Sequence, residues 1–305
     1  MFRSIYNDIK GQINYGNNVT RLIIINAMVF VSLWIVYAFI ALASGPDYLL
    51  IQKKFLHFFT LPPSLLEMFK KPWSIFTYMF LHEGLFHFLF NMIVFHMFGR
   101  IFGDLLGDKR VVPLYILGGL MGIVFIQLAV VFNVKIGPAL GASAAVMAFV
   151  VASAIVAPNN EVRLLLIGNV KIKYVALVLI ILDIIGIASL DNTGGHFAHI
   201  GGMLMGWFYV LMIQNNSDPS VWMNKSFDSI KNLFRPKPQK KPKSPLSVKY
   251  KATVPKTKTS NKKSTMQTVS HQEKLDAILD KISKKGISSL NKEEKEFLDK
   301  ASKNN

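Results

Sequence analysis

Long apolar runs fill the first two thirds of this 305-residue chain and limit its folding options more than any other feature. A helix needs about 20 apolar residues to cross ~30 Å of hydrocarbon. Six stretches meet or approach that length, at about 22–44, 75–99, 111–133, 138–157, 174–190 and 197–213. The last two are near the short limit, and the fifth carries Asp183. With mostly brief connections between them, the expected fold class is an all-α membrane protein, a compact bundle of six transmembrane helices. Residues 1–18 are polar and the run that follows is too long for a signal-peptide core, so the first run is expected to be a retained span with no cleavable leader.

Beyond about residue 213 the character changes. Residues 214–305 hold 21 Lys/Arg against 9 Asp/Glu, so this tail supplies +12 of the overall +17. The basic balance belongs mostly to an appendage, and no aromatic-interleaved basic fold points to nucleic acid as a partner. From Arg235 to Lys263 there are eleven basic residues, no acid and five prolines. Too few apolar residues remain to offset the entropy of ordering, which predicts a disordered linker. Its charge either keeps a spacer solvated or draws it to anionic lipid head groups. From 271 helical periodicity returns, with Leu275, Ile278, Leu279 and Ile282 on one stripe and Phe297 and Leu298 on another. Asn291 and Glu294 have the spacing of a helix cap and its third-position partner. The expected organisation is an N-terminal segment at 1–19, a six-span body at 20–213, a basic disordered linker at 214–270 and a helical hairpin at 271–305. Cysteine is absent, which excludes disulfides and thiolate chemistry.

An even number of spans places both termini on one side. That side collects Arg3, Lys10, Arg21, Arg100, Lys109, Arg110, Arg163, Lys171, Lys173 and the tail, whereas two short opposite loops hold Lys135 and Asp191. The lysine and arginine bias therefore predicts cytoplasmic termini in a cell membrane, read as a prokaryotic inner membrane. The loop at about 45–74 runs against the bias with Lys53, Lys54, Lys70 and Lys71, and its apolar clusters predict that it lies in the membrane interface.

Polar and ionisable side chains are costly inside apolar spans and mark function. Ser143 opens the fourth stretch in Gly141-Ala142-Ser143-Ala144, and His199 lies on the sixth in Ala198-His199-Ile200-Gly201-Gly202. A serine becomes nucleophilic only when a base takes its proton. Neutral imidazole does this and later returns the proton to the leaving amine. Packing alone would orient the ring, with no acidic third partner. Gly202 and Gly206 share a face with His199, and Ala144, Ala148 and Ala152 form a small-residue face beside Ser143, so two helices of this kind can approach closely. His87 and Asn91, an i, i+4 pair, are expected to donate hydrogen bonds to a developing oxyanion, helped by free backbone N–H groups where the fourth span begins. His82 and Gly141 are expected to support the site. A zinc site gathering His82, His87, His196 and His199 is disfavoured by the i, i+5 spacing of His82 and His87 and the absence of His-Glu-x-x-His. The expectation is no metal and no cofactor.

Taken together, His82-x-x-x-x-His87-x-x-x-Asn91, Gly141-x-Ser143 and Ala198-His199-x-Gly201-Gly202 resemble the rhomboid family of intramembrane serine proteases over residues 20–213, in the family's order and on its second, fourth and sixth spans. The resemblance implies a Ser–His dyad without an acid, transmembrane protein substrates, a water-filled cavity open to the outer side, and a substrate gate built from the fifth span. Three positions depart from the family pattern. Trp73 is followed by Ser74 instead of arginine, Ala144 stands where glycine is common, and Gly103 with Asp104 stands where a glutamate is frequent. A catalytically silent relative that binds membrane helices is the alternative function, and the presence of both Ser143 and His199 argues for the protease.

Overall fold

The computed structural model describes residues 2–164, 167–188, 192–233 and 271–303. The chain divides into two units, Met1–Lys237 and Pro238–Asn305. In the first, helix α1 (Phe2–Tyr15) precedes α2 (Asn18–Ala43), and the short helices α3 (Tyr48–Phe59), α4 (Leu65–Lys70) and α5 (Ser74–Thr77) make up the long first loop. Helices α6 (Leu85–Leu106), α7 (Val111–Val131), α8 (Ser143–Val156), α9 (Ile172–Ala188) and α10 (Thr193–Gln214) form the bundle, and α11 (Pro219–Leu233) follows it.

Among the described residues, four helices are long and apolar enough to cross a membrane: α2, α6, α10, and α7 with its preceding turn (Asp108–Val131). The six-span expectation is met in part, with α8 having 14 residues and the described part of α9 having 17. At 1.5 Å per residue these are about 21 and 25 Å long. The apolar run at 138–157 begins as non-helical chain, since Gly141 has φ +128° and hydrogen-bonds through its N–H to the Tyr78 carbonyl. Apolarity is the same in coil and helix, so hydropathy did not place that boundary. A second break separates α5 from α6 at Leu81–Gly84, so His82 lies ahead of the helix rather than on it.

Burial explains the packing order. Helix α8 is buried from Ala144 to Val150, as the central helix of a bundle must be. Helix α2 buries only Val19, Leu22, Asn26, Phe30 and Leu33, one stripe at three- and four-residue spacing, and leaves Trp34 and Phe39 outward. The polar Asn26 on that stripe is satisfied by the Leu22 carbonyl and the Tyr115 hydroxyl. Small residues set the tightest contacts: a Cβ at Gly202 would collide with the Ala144 carbonyl oxygen, and one at Gly206 with that of Ala148. The two small faces expected on α8 and α10 therefore meet at backbone distance.

The ends of the bundle are cross-tied. Asn18 N–H donates to Asp108 (2.7 Å) and Arg110 pairs with Asp218 (2.8 Å), which gathers the start of α2, the α6–α7 turn and the end of α10 at one end. Residues 219–233, expected in the disordered linker, form α11 instead. Its Asn224 side chain donates to the Lys109 carbonyl, and this docking supplies what composition alone did not. The rest of the expected linker, 234–270, lies outside the described residues, as does Asp191. Among the described residues the all-α expectation is modified by one hairpin, β1 (Glu161–Leu164) against β2 (Gly168–Lys171), antiparallel with Val162 opposite Val170. Gly168 at φ +87° supplies a backbone conformation that the turn needs and other residues rarely adopt.

The second unit contains α12 (His271–Lys285) and α13 (Lys292–Lys303). Asn291 Oδ1 accepts from Glu294 N–H (2.8 Å) while Glu294 accepts from Asn291 N–H (2.9 Å), the reciprocal cap expected from the sequence. Lys281 reaches the same carboxylate at 2.8 Å.

Candidate active site

Ser143 is the first residue of α8, so its own N–H and those of the next two residues have no helical acceptor; the first regular bond runs from Val146 N–H to Ala142. Gly141, two residues earlier, is boxed in. A Cβ there would lie 3.0 Å from His87 Cε1 and Nε2 and 3.5 Å from Ser143 Oγ. The His87 ring and the Ser143 hydroxyl thus face the same small space, at a position whose φ also demands glycine. Extended chain holds this turn in place: Leu61 and Ala139 exchange both backbone hydrogen bonds at 2.9 Å, tying the first loop to the segment that leads into Ser143.

His87 sits in the first turn of α6, and Asn91 one turn later is 4% exposed. Asn91 donates one amide hydrogen to the His87 carbonyl (2.8 Å), which fixes its side chain and, among the described residues, leaves the second hydrogen free. His82 packs its ring against that of His87, centroids 5.2 Å apart, and is fully buried. Burial first, and His87 alongside, press the His82 pKa down to about 4, against a smaller opposing pull from the Phe80 backbone. His82 is therefore neutral at pH 7. Because it lies ahead of α6, the i, i+5 helical spacing used against a shared metal does not describe how it meets His87.

His199 stands on α10 one turn before Gly202, the residue pressed against Ala144 beside the serine. Its Nδ1 lies 2.7 Å from Asp183 Oδ1 on α9. His196, one turn earlier on α10, brings its Nδ1 to the same oxygen at 2.5 Å. Among the described residues no hydrogen bond joins the Ser143 hydroxyl to His199. Catalytic hydrogen bonds in ligand-free sites are often long and tighten when substrate binds. So the structure brings together Ser143, Gly141, His87 and His82, sets His199 on the helix packed against Ser143, and adds two groups that were assigned no catalytic part: Asp183 and His196. A signal was present, since a carboxylate inside an apolar helix must find a partner, and the histidines of α10 were the partners on offer.

The three departures from the rhomboid pattern serve local packing. Ser74 is buried and donates to the Lys71 carbonyl (2.6 Å). At Gly103 a Cβ would come within 3.2 Å of Val111, where α6 meets α7, while Asp104 pairs outward with Arg100. Ala144 is the residue against which Gly122 and Gly202 close.

The rhomboid domain family matches residues 70–216, and a family of unknown function, DUF6576, matches residues 258–304. Presenilin-associated rhomboid-like protein, mitochondrial, of Mus musculus is 29% identical over 214 residues, 67% of this chain and 51% of the mouse protein. Its Homo sapiens counterpart is 28% identical over 182 residues (56% and 46%), and the A form of Danio rerio 28% over 133 residues (43% and 35%). The chain spans about half or less of the length of these relatives. Their location overturns the prokaryotic cell membrane with cytoplasmic termini, since all three are mitochondrial proteins. The physical reason is that lysine and arginine bias reports which side of a membrane a loop occupies, and carries no information about which membrane.

Proposed function

Residues 70–216 form a rhomboid domain, and on that premise we propose that the protein is an intramembrane serine endopeptidase that cleaves transmembrane segments of membrane proteins. The observation that carries this reading is the Ser143 hydroxyl facing the Gly141–His87 space at a helix N-terminus, with His199 on the helix packed against it. His199 Nε2 takes the proton of Ser143 as Oγ bonds to the scissile carbonyl carbon. The negative charge that moves onto the carbonyl oxygen is met by the Ser143 N–H, the His87 ring and the free Asn91 amide hydrogen. The imidazolium then protonates the leaving amine and the carbon–nitrogen bond breaks. Water, deprotonated by the same imidazole, releases the acyl product.

Asp183 adds to the expected dyad. By accepting the Nδ1–H of His199 it selects the tautomer with a lone pair on Nε2 and stabilises the imidazolium that follows. The same contact joins α9 to α10. Helix α9 buries mainly Ile172, Ala176 and Asp183 and leaves Leu177, Ile181, Leu182, Ile184 and Ile185 outward. That arrangement suits a gate for a substrate helix, loosely packed and held at one polar point. The exposed apolar residues of α3, Leu49, Leu50 and Phe58, suit the interfacial position expected of the first loop, and the basic chain at 235–263 is proposed to contact anionic lipid.

The alternative, a catalytically silent member that binds membrane helices, draws on the absent Ser143–His199 hydrogen bond. Fluorophosphonate labelling of the purified protein separates the two. Labelling lost in Ser143→Ala and His199→Ala, together with cleavage of a single-span substrate, supports the protease. A wild-type protein that neither labels nor cleaves supports the silent member.

A further inference from the structure

We propose that Asp183, His196 and His199 form a zinc site whose occupancy switches the protease off. The ligand atoms of these three side chains lie within 4.8 Å of one another. Both imidazoles turn the same nitrogen, Nδ1, onto one carboxylate oxygen, so three donors from two helices converge on one point. Asp183 is only 5% exposed, and its second oxygen, Oδ2, is buried with no hydrogen-bond partner among the described residues. A buried carboxylate with an unspent lone-pair face is costly, and a cation removes that cost. Two imidazoles and a carboxylate form a donor set that suits zinc, with water at the fourth position. At zinc–ligand bonds of about 2.0–2.1 Å, tetrahedral ligand atoms stand roughly 3.3 Å apart. The present separations of 2.5 and 2.7 Å need open by less than an ångström, a movement of α9 against α10.

The inhibition follows from proton bookkeeping on one ring, and rests on the reading of His199 as the base. In the metal-free site the single proton of neutral His199 is on Nδ1, donated to Asp183, and Nε2 carries the lone pair. Zinc takes the Nδ1 lone pair, so the ring's proton must reside on Nε2. An Nε2–H cannot accept the proton of Ser143, and the nucleophile stays unactivated although its own surroundings are unchanged. The same metal bonds α9 to α10 and holds the proposed gate shut. His196 is the residue that separates the two functions, since it serves the metal and does not touch the reacting atoms.

Zinc binding is measured by equilibrium dialysis on full-length Ser143→Ala protein in detergent, which cannot digest itself, and cleavage is measured on the wild type. One zinc per chain is expected, with cleavage falling as the site fills and returning on chelation, while magnesium has no effect. His196→Gln keeps a donor for Asp183 and lacks a comparable metal ligand. It should cleave at the wild-type rate without zinc, and bind zinc more weakly by at least the ~10–100-fold that losing an outer-shell partner costs in metal sites. Absence of zinc binding, stimulation by zinc, or undiminished zinc inhibition in His196→Gln would overturn the proposal. Stoichiometric binding by a protein that never cleaves would retain the metal site and remove the protease reading instead.

Discussion

Asp183 accepts from two imidazoles on a single oxygen, so its isosteric amide tests whether the acid takes part in the chemistry. Asp183→Asn keeps the shape but offers one face that donates, which favours the wrong His199 tautomer. Its kcat should fall by at least tenfold and up to the ~10⁴-fold seen for the same swap in a serine protease triad, with KM little changed. Unchanged kcat in a folded variant would return the site to a bare dyad oriented by packing. His82 makes a pH prediction. Its folded pKa of about 4 lies below the ordinary ~6.5. Between those values the unfolded chain binds a proton that the folded chain refuses. The contribution of His82 to stability is therefore complete above pH ~6.5 and is lost as the pH falls toward 4. Thermal melting in detergent should show a lower Tm at pH 5 than at pH 7, and His82→Leu should flatten that part of the slope. An identical slope in the variant would mean that His82 is not the group responsible.

Helix contacts decide how close Ser143 and His199 come, and glycine decides the helix contacts. A Cβ at Gly202 would strike the backbone of Ala144, which cannot rotate away as a side chain would. Gly202→Ala should therefore force α8 and α10 apart, destabilise by about 1–3 kcal/mol as overpacked cores do, and lower cleavage more than substrate binding. Gly11→Ala on α1 is the matched control, because nothing lies within 4 Å of the new methyl. It should be neutral or stabilising by up to about 1 kcal/mol, since alanine suits a helix interior better than glycine. Equal losses in both variants would show that helix propensity, and not the α8–α10 approach, governs the response.

For the molecule as a whole, the structure moves the boundary between the helical bundle and its appendage. Every proposed catalytic group precedes residue 214, yet α11 is tied to the bundle through Asp218 to Arg110 and Asn224 to Lys109. Hydrogen bonds pull the Asp218 carboxyl below its usual range although burial pushes it up, with Ser220 and then Arg110 as donors. Truncation after Leu233 should leave detergent-phase proteolysis near the full-length rate. Truncation at Asn215 should lower Tm, because it removes the Asp218 carboxylate that pairs with Arg110. Loss of cleavage by a folded protein ending at Leu233 would show that the second unit takes part in building the site.

What the sequence determined by itself was set by local spacing and by the cost of burying polar groups. The apolar runs, the small faces of α8 and α10 and the Asn291–Glu294 cap all follow from periodicities visible within a dozen residues. Tertiary structure alone decided the rest. Helix α8 is short because Gly141 is bound to Tyr78, 63 residues away in sequence, and hydropathy is indifferent to that bond. His82 leaves the helix because the chain breaks at Leu81–Gly84. Asp183 looked like an isolated charge in an apolar run until α9 was laid against α10. Its partners lie 13 and 16 residues along, across a change of chain direction that no sequence period encodes. A hydrogen bond between helices depends on their rotation and offset, and those are fixed only when the whole bundle closes its core.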